Sequence, residues 1–180
     1  MSGPEDAAAR LALLEDRQEI RDLVATYCRA VDRLDLEALR SVYTPDGIDH
    51  HTGFDGSVDE FIAYLASALP VLDGTQHLIG NHLAEIRGDE AVAETYGTAV
   101  HWGSPADAAS LNWTSGFRYV DHLVRTEVGW RVRERWAIRE WAVTFAGRQF
   151  VTADQQQRGR DSAEPLWDAL RQLRGEHGGD

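Results

Sequence analysis

From about Asp6 to Val31 apolar residues return at helical spacing. Ile20, Leu23, Val24, Tyr27, Cys28 and Val31 stand at i, i+3, i+4, i+7, i+8 and i+11, a stripe that turns one side of a helix toward a core. Leu34 to Tyr43 predicts a short second helix, stopped by the turn signal Pro45-Asp46-Gly47. Ser57 and Glu60 have the spacing of a capping box at the start of a third helix. Phe61, Leu65 and Leu69 mark its buried side, and it ends near Pro70.

From Thr75 the pattern changes. Gln76 to Ile86, Ala91 to Trp102, Leu111 to Thr126 and Trp130 to Thr144 read as strands. Gly88-Asp89, the Gly103 to Ala108 stretch and Glu127-Val128-Gly129 separate them, a spacing that predicts antiparallel strands joined by hairpins. A last amphipathic helix covers Ser162 to Leu173, with Leu166, Leu170 and Leu173 on one side and Trp167 beside them. Helices first and a meandering sheet afterwards is an α+β layout. A long bent sheet wrapped around helices leaves a conical cavity, a natural place for a small ligand.

Composition narrows the functional classes. No repeat or low-complexity tract divides the 180 residues, so residues 1–180 are expected to form one domain, large enough for a sizeable core. The apolar fraction of 43% is ordinary for a globular chain. No apolar run approaches the ~18 residues that span a bilayer, and the acidic start Met1 to Asp6 is not a secretory signal. The single cysteine, Cys28, allows no internal disulfide and no cysteine-based zinc site, and the expected location is the cytoplasm. A net charge of −12 argues against nucleic-acid binding. Arg131, Arg133 and Arg135 alternate with Glu134 and Glu140 as a strand of paired charges.

Asp32 lies at the edge of the first apolar stripe, and reads as a helix-end aspartate in solvent, as a cap for the helix near Leu34, or as a partner for a histidine. Tyr27, about 140° away on the same helix, reads as a core tyrosine whose hydroxyl finds a partner. His77 opens a strand; in regular alternation it shares a face with Ile79, Asn81 and Leu83, while His82 points the other way. His101 ends a strand whose own face, Ala93, Thr95, Gly97 and Ala99, is small and leaves room above the sheet. The opposite face, Val92, Tyr96, Val100 and Trp102, can fill a core. A buried Arg135 needs a carboxylate, or binds an anionic or carbonyl-bearing ligand. Seven histidines, among them His50-His51 after Asp49, raise the question of a metal, but no common ligand spacing is present and none is expected. Phosphate-cradling, G-x-S-x-G and G-x-G-x-x-G patterns are absent.

Four segments in order carry a resemblance: Glu19 to Asp32, Val42 to Gly47, Thr75 to Asn81 and Gly129 to Val132. Together they resemble SnoaL-like members of the nuclear transport factor 2-like superfamily, nearest the branch of scytalone dehydratase, bile-acid 7α-dehydratase and hexachlorocyclohexane dehydrochlorinase. The resemblance covers about residues 8–146. It implies an α+β cone whose strongly bent sheet encloses a pocket behind the N-terminal helices. It also implies a cofactor-independent lyase of dehydratase type, or an isomerase or cyclase, acting on an apolar small molecule that bears a carbonyl. On that reading His77 is the general base, Asp32 fixes its tautomer, Tyr27 hydrogen-bonds the carbonyl or the leaving hydroxyl, and His101 supplies the proton to the departing group. Arg135, Trp136, Tyr96 and Asn81 are the expected substrate contacts. A homodimer or homotrimer is expected by the same analogy. The superfamily also holds non-enzymes, so a ligand-binding or assembly protein is the second reading; an epoxide hydrolase, lacking a clear second pocket aspartate and asparagine, is the third.

Overall fold

Six strands form one sheet in the order β2-β1-β6-β5-β4-β3, and the N-terminal helices lie in its concave side. The computed structural model describes residues 4–103, 112–146 and 165–175. Helix α1 (Pro4–Arg33) is followed by α2 (Leu36–Ser41), strands β1 (Tyr43–His51) and β2 (Phe54–Ser57), α3 (Val58–Ala68) and a short 3-10 turn (Leu69–Val71). Four long strands follow, β3 (Gly74–Arg87), β4 (Glu90–Trp102), β5 (Trp113–Thr126) and β6 (Gly129–Thr144), and then α4 (Pro165–Arg174). Leu111, residues 104–108 of the expected loop and Ser162 lie outside the described residues. No helix among the described residues is long and apolar enough to cross a membrane.

The helices form where the pattern places them. Ile20, Val24, Tyr27, Cys28 and Val31 of α1 are buried, and burial of the Cys28 thiol pushes its pKa up to about 12. Ser57 and Glu60 make both bonds of the capping box on α3. Helix α1 ends where Leu34 takes a positive φ of 55° and the Asp35 amide donates to the Ala30 carbonyl at 2.9 Å. Asp35 then caps α2, its carboxylate accepting from the Ala38 amide at 3.0 Å. The helix cap near Leu34 is therefore Asp35, which leaves Asp32 for another partner.

Midway along α1, Asp16 accepts from Arg125 Nη1 and Nη2, each at 2.7 Å, and from the Trp130 indole at 3.0 Å. Glu19 accepts from the Trp130 amide at 2.8 Å. The β5–β6 turn reaches this carboxylate because Gly129 has φ of +99° and no side chain; a Cβ there would lie 2.1 Å from the Glu19 carboxylate.

The sheet departs from the expected pattern in three places. Residues 43–51 and 54–57 are strands, and Pro45-Asp46-Gly47 falls inside β1 as an irregularity between the Tyr43–Val132 and Ile48–Glu134 pairs. β1 runs parallel to β6, and all other neighbours are antiparallel. In β3, pairing passes from Ile79–Gly97 to His82–Thr95, so Gly80 and Asn81 together oppose Tyr96. This bulge reverses the alternation. His82 turns inward to Thr95, with Nδ1 2.8 Å from Oγ1, and Leu83 turns out to 73% exposure.

The face of β4 expected to fill a core is buried only at Trp102. The small residues Ala93, Thr95 and Ala99 face the interior, whereas Val92 and Tyr96 are exposed. The outward face of the sheet carries further exposed apolar side chains, Trp136, Ile138, Trp141 and Val143. Among them Arg118 is bound to Glu94 at 2.6 Å and Glu140 at 2.7 Å.

Candidate active site

Asp32 leaves the last turn of α1 pointing at the first residues of β3. One carboxylate oxygen accepts from the Thr75 hydroxyl at 2.9 Å and lies 2.7 Å from His77 Nδ1; the other accepts from the His77 amide at 2.9 Å. A carboxylate only accepts, so His77 carries its proton on Nδ1 and keeps Nε2 as a basic nitrogen. Fixing the same aspartate by the backbone of the residue it orients removes most of the freedom of both side chains.

His77 lines a cavity of about 120 Å³. The cavity's helical wall includes Val31, Phe61, Leu65 and Leu69, and its floor on the sheet is Ala99, Phe117 and Tyr119. Phe117 packs closely on β4 because residue 97 is glycine: a Cβ there would come within 2.4 Å of the Phe117 ring. The described polar lining is Tyr27, His51, Thr52, His101, Ser115 and Arg139 beside His77. An apolar cavity of about 150 Å³ holds one benzene, so this one suits a single ring or its equivalent. His51, Thr52 and Ala137 also border an open groove of about 530 Å³ along His50 to Asp55, where a longer ligand continues.

The expected site residues divide into two groups. His77, Tyr27 and His101 all line the cavity, with Asp32 behind His77. His101 is stacked on Trp113 at 4.2 Å and meets His77 edge-on at 6.0 Å. The four expected substrate contacts lie elsewhere. Asn81 is exposed in the bulge of β3. Tyr96 and Trp136 are on the outward face, 43% and 38% exposed; Trp136 stacks on His50 at 5.1 Å.

Arg135 points inward but lies beneath the cavity, fully buried, with Nε and Nη2 donating to Asp121 at 2.6 and 2.7 Å. Burial works against its charge, and the Asp121 carboxylate more than offsets this, holding the guanidinium firmly protonated. Its cation lies 4.0 Å from the Tyr27 ring and 4.3 Å from the Tyr119 ring. The arginine that does line the cavity is Arg139, four residues further along β6.

Two residues outside the expected set complete the site. Asp49 and His51 project from the same side of β1, and the fully buried Asp49 carboxylate binds His51 Nδ1 and accepts from the Tyr43 hydroxyl at 2.5 Å. His51 Nε2 lies 3.4 Å from the Tyr27 hydroxyl. Burial pushes the Tyr27 phenol well up, with the Asp49 charge adding to the effect and Arg135 opposing it. The signal in the sequence is Asp-x-His, which places both side chains on one face of a strand. No group of three or more potential ligands set to hold a metal ion is found among the described residues.

The family comparison matches residues 12–136 to the SnoaL-like domain. An uncharacterized protein of Mycobacterium tuberculosis, Rv2910c, is 30% identical over 130 residues, 69% of this chain and 86% of that protein. A solved NTF2-like protein with a cystatin-like fold from Novosphingobium aromaticivorans is 32% identical, with a TM-score of 0.62 over 76% of this chain and 90% of its own. Hexachlorocyclohexane dehydrochlorinase LinA-type3 from Novosphingobium barchaimii superposes with a TM-score of 0.68 over 79% of this chain and 99% of its own. At 17% identity that last likeness is one of fold.

Proposed function

This chain belongs to the SnoaL-like domain family of the nuclear transport factor 2-like superfamily, and from that premise we propose that it is a cofactor-independent lyase of dehydratase type. The substrate is an apolar, carbonyl-bearing molecule that places one ring in the inner cavity. The observation that carries this reading is the Asp32–His77 pair, 2.7 Å apart, on the wall of that cavity. A carboxylate that fixes the Nδ1–H tautomer and leaves Nε2 as the acceptor is the arrangement of a general base.

His77 takes a proton from the carbon next to the carbonyl, and Asp32 stabilises the imidazolium that forms. The apolar side chains of the helical wall, Val31, Phe61, Leu65 and Leu69, lower the local dielectric and strengthen these charge interactions. Elimination of a leaving group from the neighbouring carbon completes the reaction. The test is substitution: His77→Ala and Asp32→Asn each abolish turnover of a cyclic or aryl β-hydroxyketone while circular dichroism stays that of the wild type. Full activity in either variant overturns the reading.

The apolar outward face, with Tyr96, Trp136 and Trp141 exposed, supports association into a homodimer or homotrimer. Sedimentation equilibrium checks this, and a monomer at micromolar concentration rules it out.

A further inference from the structure

We propose that Asp49, His51 and Tyr27 form a second proton-handling arm, which delivers a proton to the departing oxygen of the substrate. The inference rests on His77 as the base of an elimination. The two arms stand on opposite sides of one cavity. β1 and β3 are separated in the sheet by β6, β5 and β4. The Tyr119 ring lies 6.3 Å from His51, Phe117 4.5 Å from Tyr119, and His77 5.8 Å from Phe117, so a row of rings runs along the floor from one histidine to the other.

The chemistry follows from donor counting. Asp49 accepts a hydrogen bond from the Nδ1–H of neutral His51, so Nε2 is an acceptor and the one Tyr27 O–H is spent on it. When His51 is protonated, Nε2–H donates to the Tyr27 oxygen, and the phenol proton turns into the cavity that Tyr27 lines. Tyr27 then donates to the leaving hydroxyl. Asp49 acts through His51 and is a positioning residue, itself fixed by Tyr43.

In the full step the substrate C–H bond breaks to His77 Nε2 and its electron pair moves onto the carbonyl oxygen as an enolate, which either takes a proton back at carbon or re-forms the carbonyl as the new C=C bond closes. The C–O bond breaks with its pair on oxygen, which takes the Tyr27 proton and departs as water. Tyr27 regains a proton from His51. His77 ends with one proton more and His51 with one fewer, and both reset through solvent; His51 also borders the open groove.

The probe is 4-hydroxy-4-phenylbutan-2-one in D2O, a one-ring β-hydroxyketone. Deuterium entering the carbon between its two functional groups reports proton abstraction, and the absorbance of the conjugated enone reports loss of water. His51→Gln and Tyr27→Phe are expected to lower enone formation about 100-fold, within the usual range for a general acid, while deuterium entry falls only a few-fold. His77→Ala is expected to stop both. If enone formation persists in His51→Gln, or if it and deuterium entry fall together, the second arm is overturned and the base assignment stands. If deuterium entry survives in His77→Ala, the base assignment fails, and the second arm with it.

A measurement without substrate decides the contact itself. In protein labelled with ¹⁵N-histidine, His51 is expected as the Nδ1–H tautomer. Its Nε2 resonance is expected to move in Tyr27→Phe, and the tautomer to loosen in Asp49→Asn. A His51 Nε2 resonance unmoved by Tyr27→Phe overturns the arm whatever any substrate does.

Discussion

The two walls of the cavity hold the same pair of functional groups by different means. On the β3 side, carboxylate and imidazole lie 45 residues apart in the chain and meet only because α1 ends against the start of a strand. The Thr75 hydroxyl, His77 Nδ1 and the His77 backbone itself converge on Asp32 there. On the β1 side the two groups are two residues apart on one strand, and alternation alone brings them together. What that pair needs from the tertiary fold is its place: β1 docked on β6, and Tyr27 delivered from α1. The first pair is therefore sensitive to any shift of the helix end. The second is locally robust but depends on what lies beneath it.

The largest effect separates the walls by chemistry. His77→Ala is expected to slow proton abstraction by about 10²–10⁴-fold, roughly 3–5 kcal/mol in the barrier, measured as deuterium entry into the β-hydroxyketone. Equal slowing by His51→Gln would erase the division of labour between the walls. The next effect separates them by stability. Asp121 is paired with Arg135 in direct register across β5 and β6, both fully buried beneath Tyr27 and Tyr119. Asp121→Asn leaves the guanidinium charge without its carboxylate and is expected to cost about 3–5 kcal/mol of unfolding free energy. Urea denaturation measures it, and a loss under 1 kcal/mol (about the value of an exposed pair) would show that the ion pair does not underpin the β1 wall.

The difference between the walls also explains what the sequence discloses. The α1 stripe and the capping box are local patterns, and the structure keeps both. Asp32 and His77 stand out because each sits at a junction of two such patterns. β1 is hidden because Pro45-Asp46-Gly47 has the composition of a turn, while the strand absorbs it as an irregularity. Asp49-x-His51 is legible as a strand period only once a strand is granted there. Asn81 is misplaced by the single extra residue of the β3 bulge, which also turns His82 inward. Tyr96 and Trp136 lie outside because strand alternation gives the inward positions to their neighbours, Thr95 on β4 and Arg135 on β6. Arg135 is expected at the ligand and is found under it, since a carboxylate stands directly across the ladder.

A smaller effect probes the floor that joins the two walls. Gly97→Ala sets a methyl group within 2.4 Å of the Phe117 ring and 2.9 Å of the Leu78 carbonyl. The ring must lift into the cavity, at a cost of about 1–3 kcal/mol, as for other overpacked sites. Weaker binding of a one-ring ketone such as acetophenone, read by calorimetry, is expected together with the lower stability. Unchanged affinity would show that Phe117 does not set the depth of the cavity.

The smallest effects have opposite signs on the two walls. His82, on the β3 side, is pushed down from its ordinary value of about 6.5 by burial and by the nearby Arg21 charge, with Asp121 opposing. As pH falls below 6.5 the unfolded chain takes up a proton that the folded chain refuses, so stability falls with pH. His50, on the β1 side, is pushed up by its hydrogen bond to Glu134, with Asp55 assisting. Its contribution is present below 6.5 and is lost as pH rises through the higher folded value. Urea midpoints between about pH 5 and 8 read both slopes. His82→Gln is expected to flatten the decline on the acid side, and His50→Gln to flatten the decline above neutrality, the latter less because His50 and its partners are partly in water and screened. If His82→Gln steepens the acid decline instead, the inward turn of His82 at the bulge is wrong, and with it the register that sets the far end of the β3 wall.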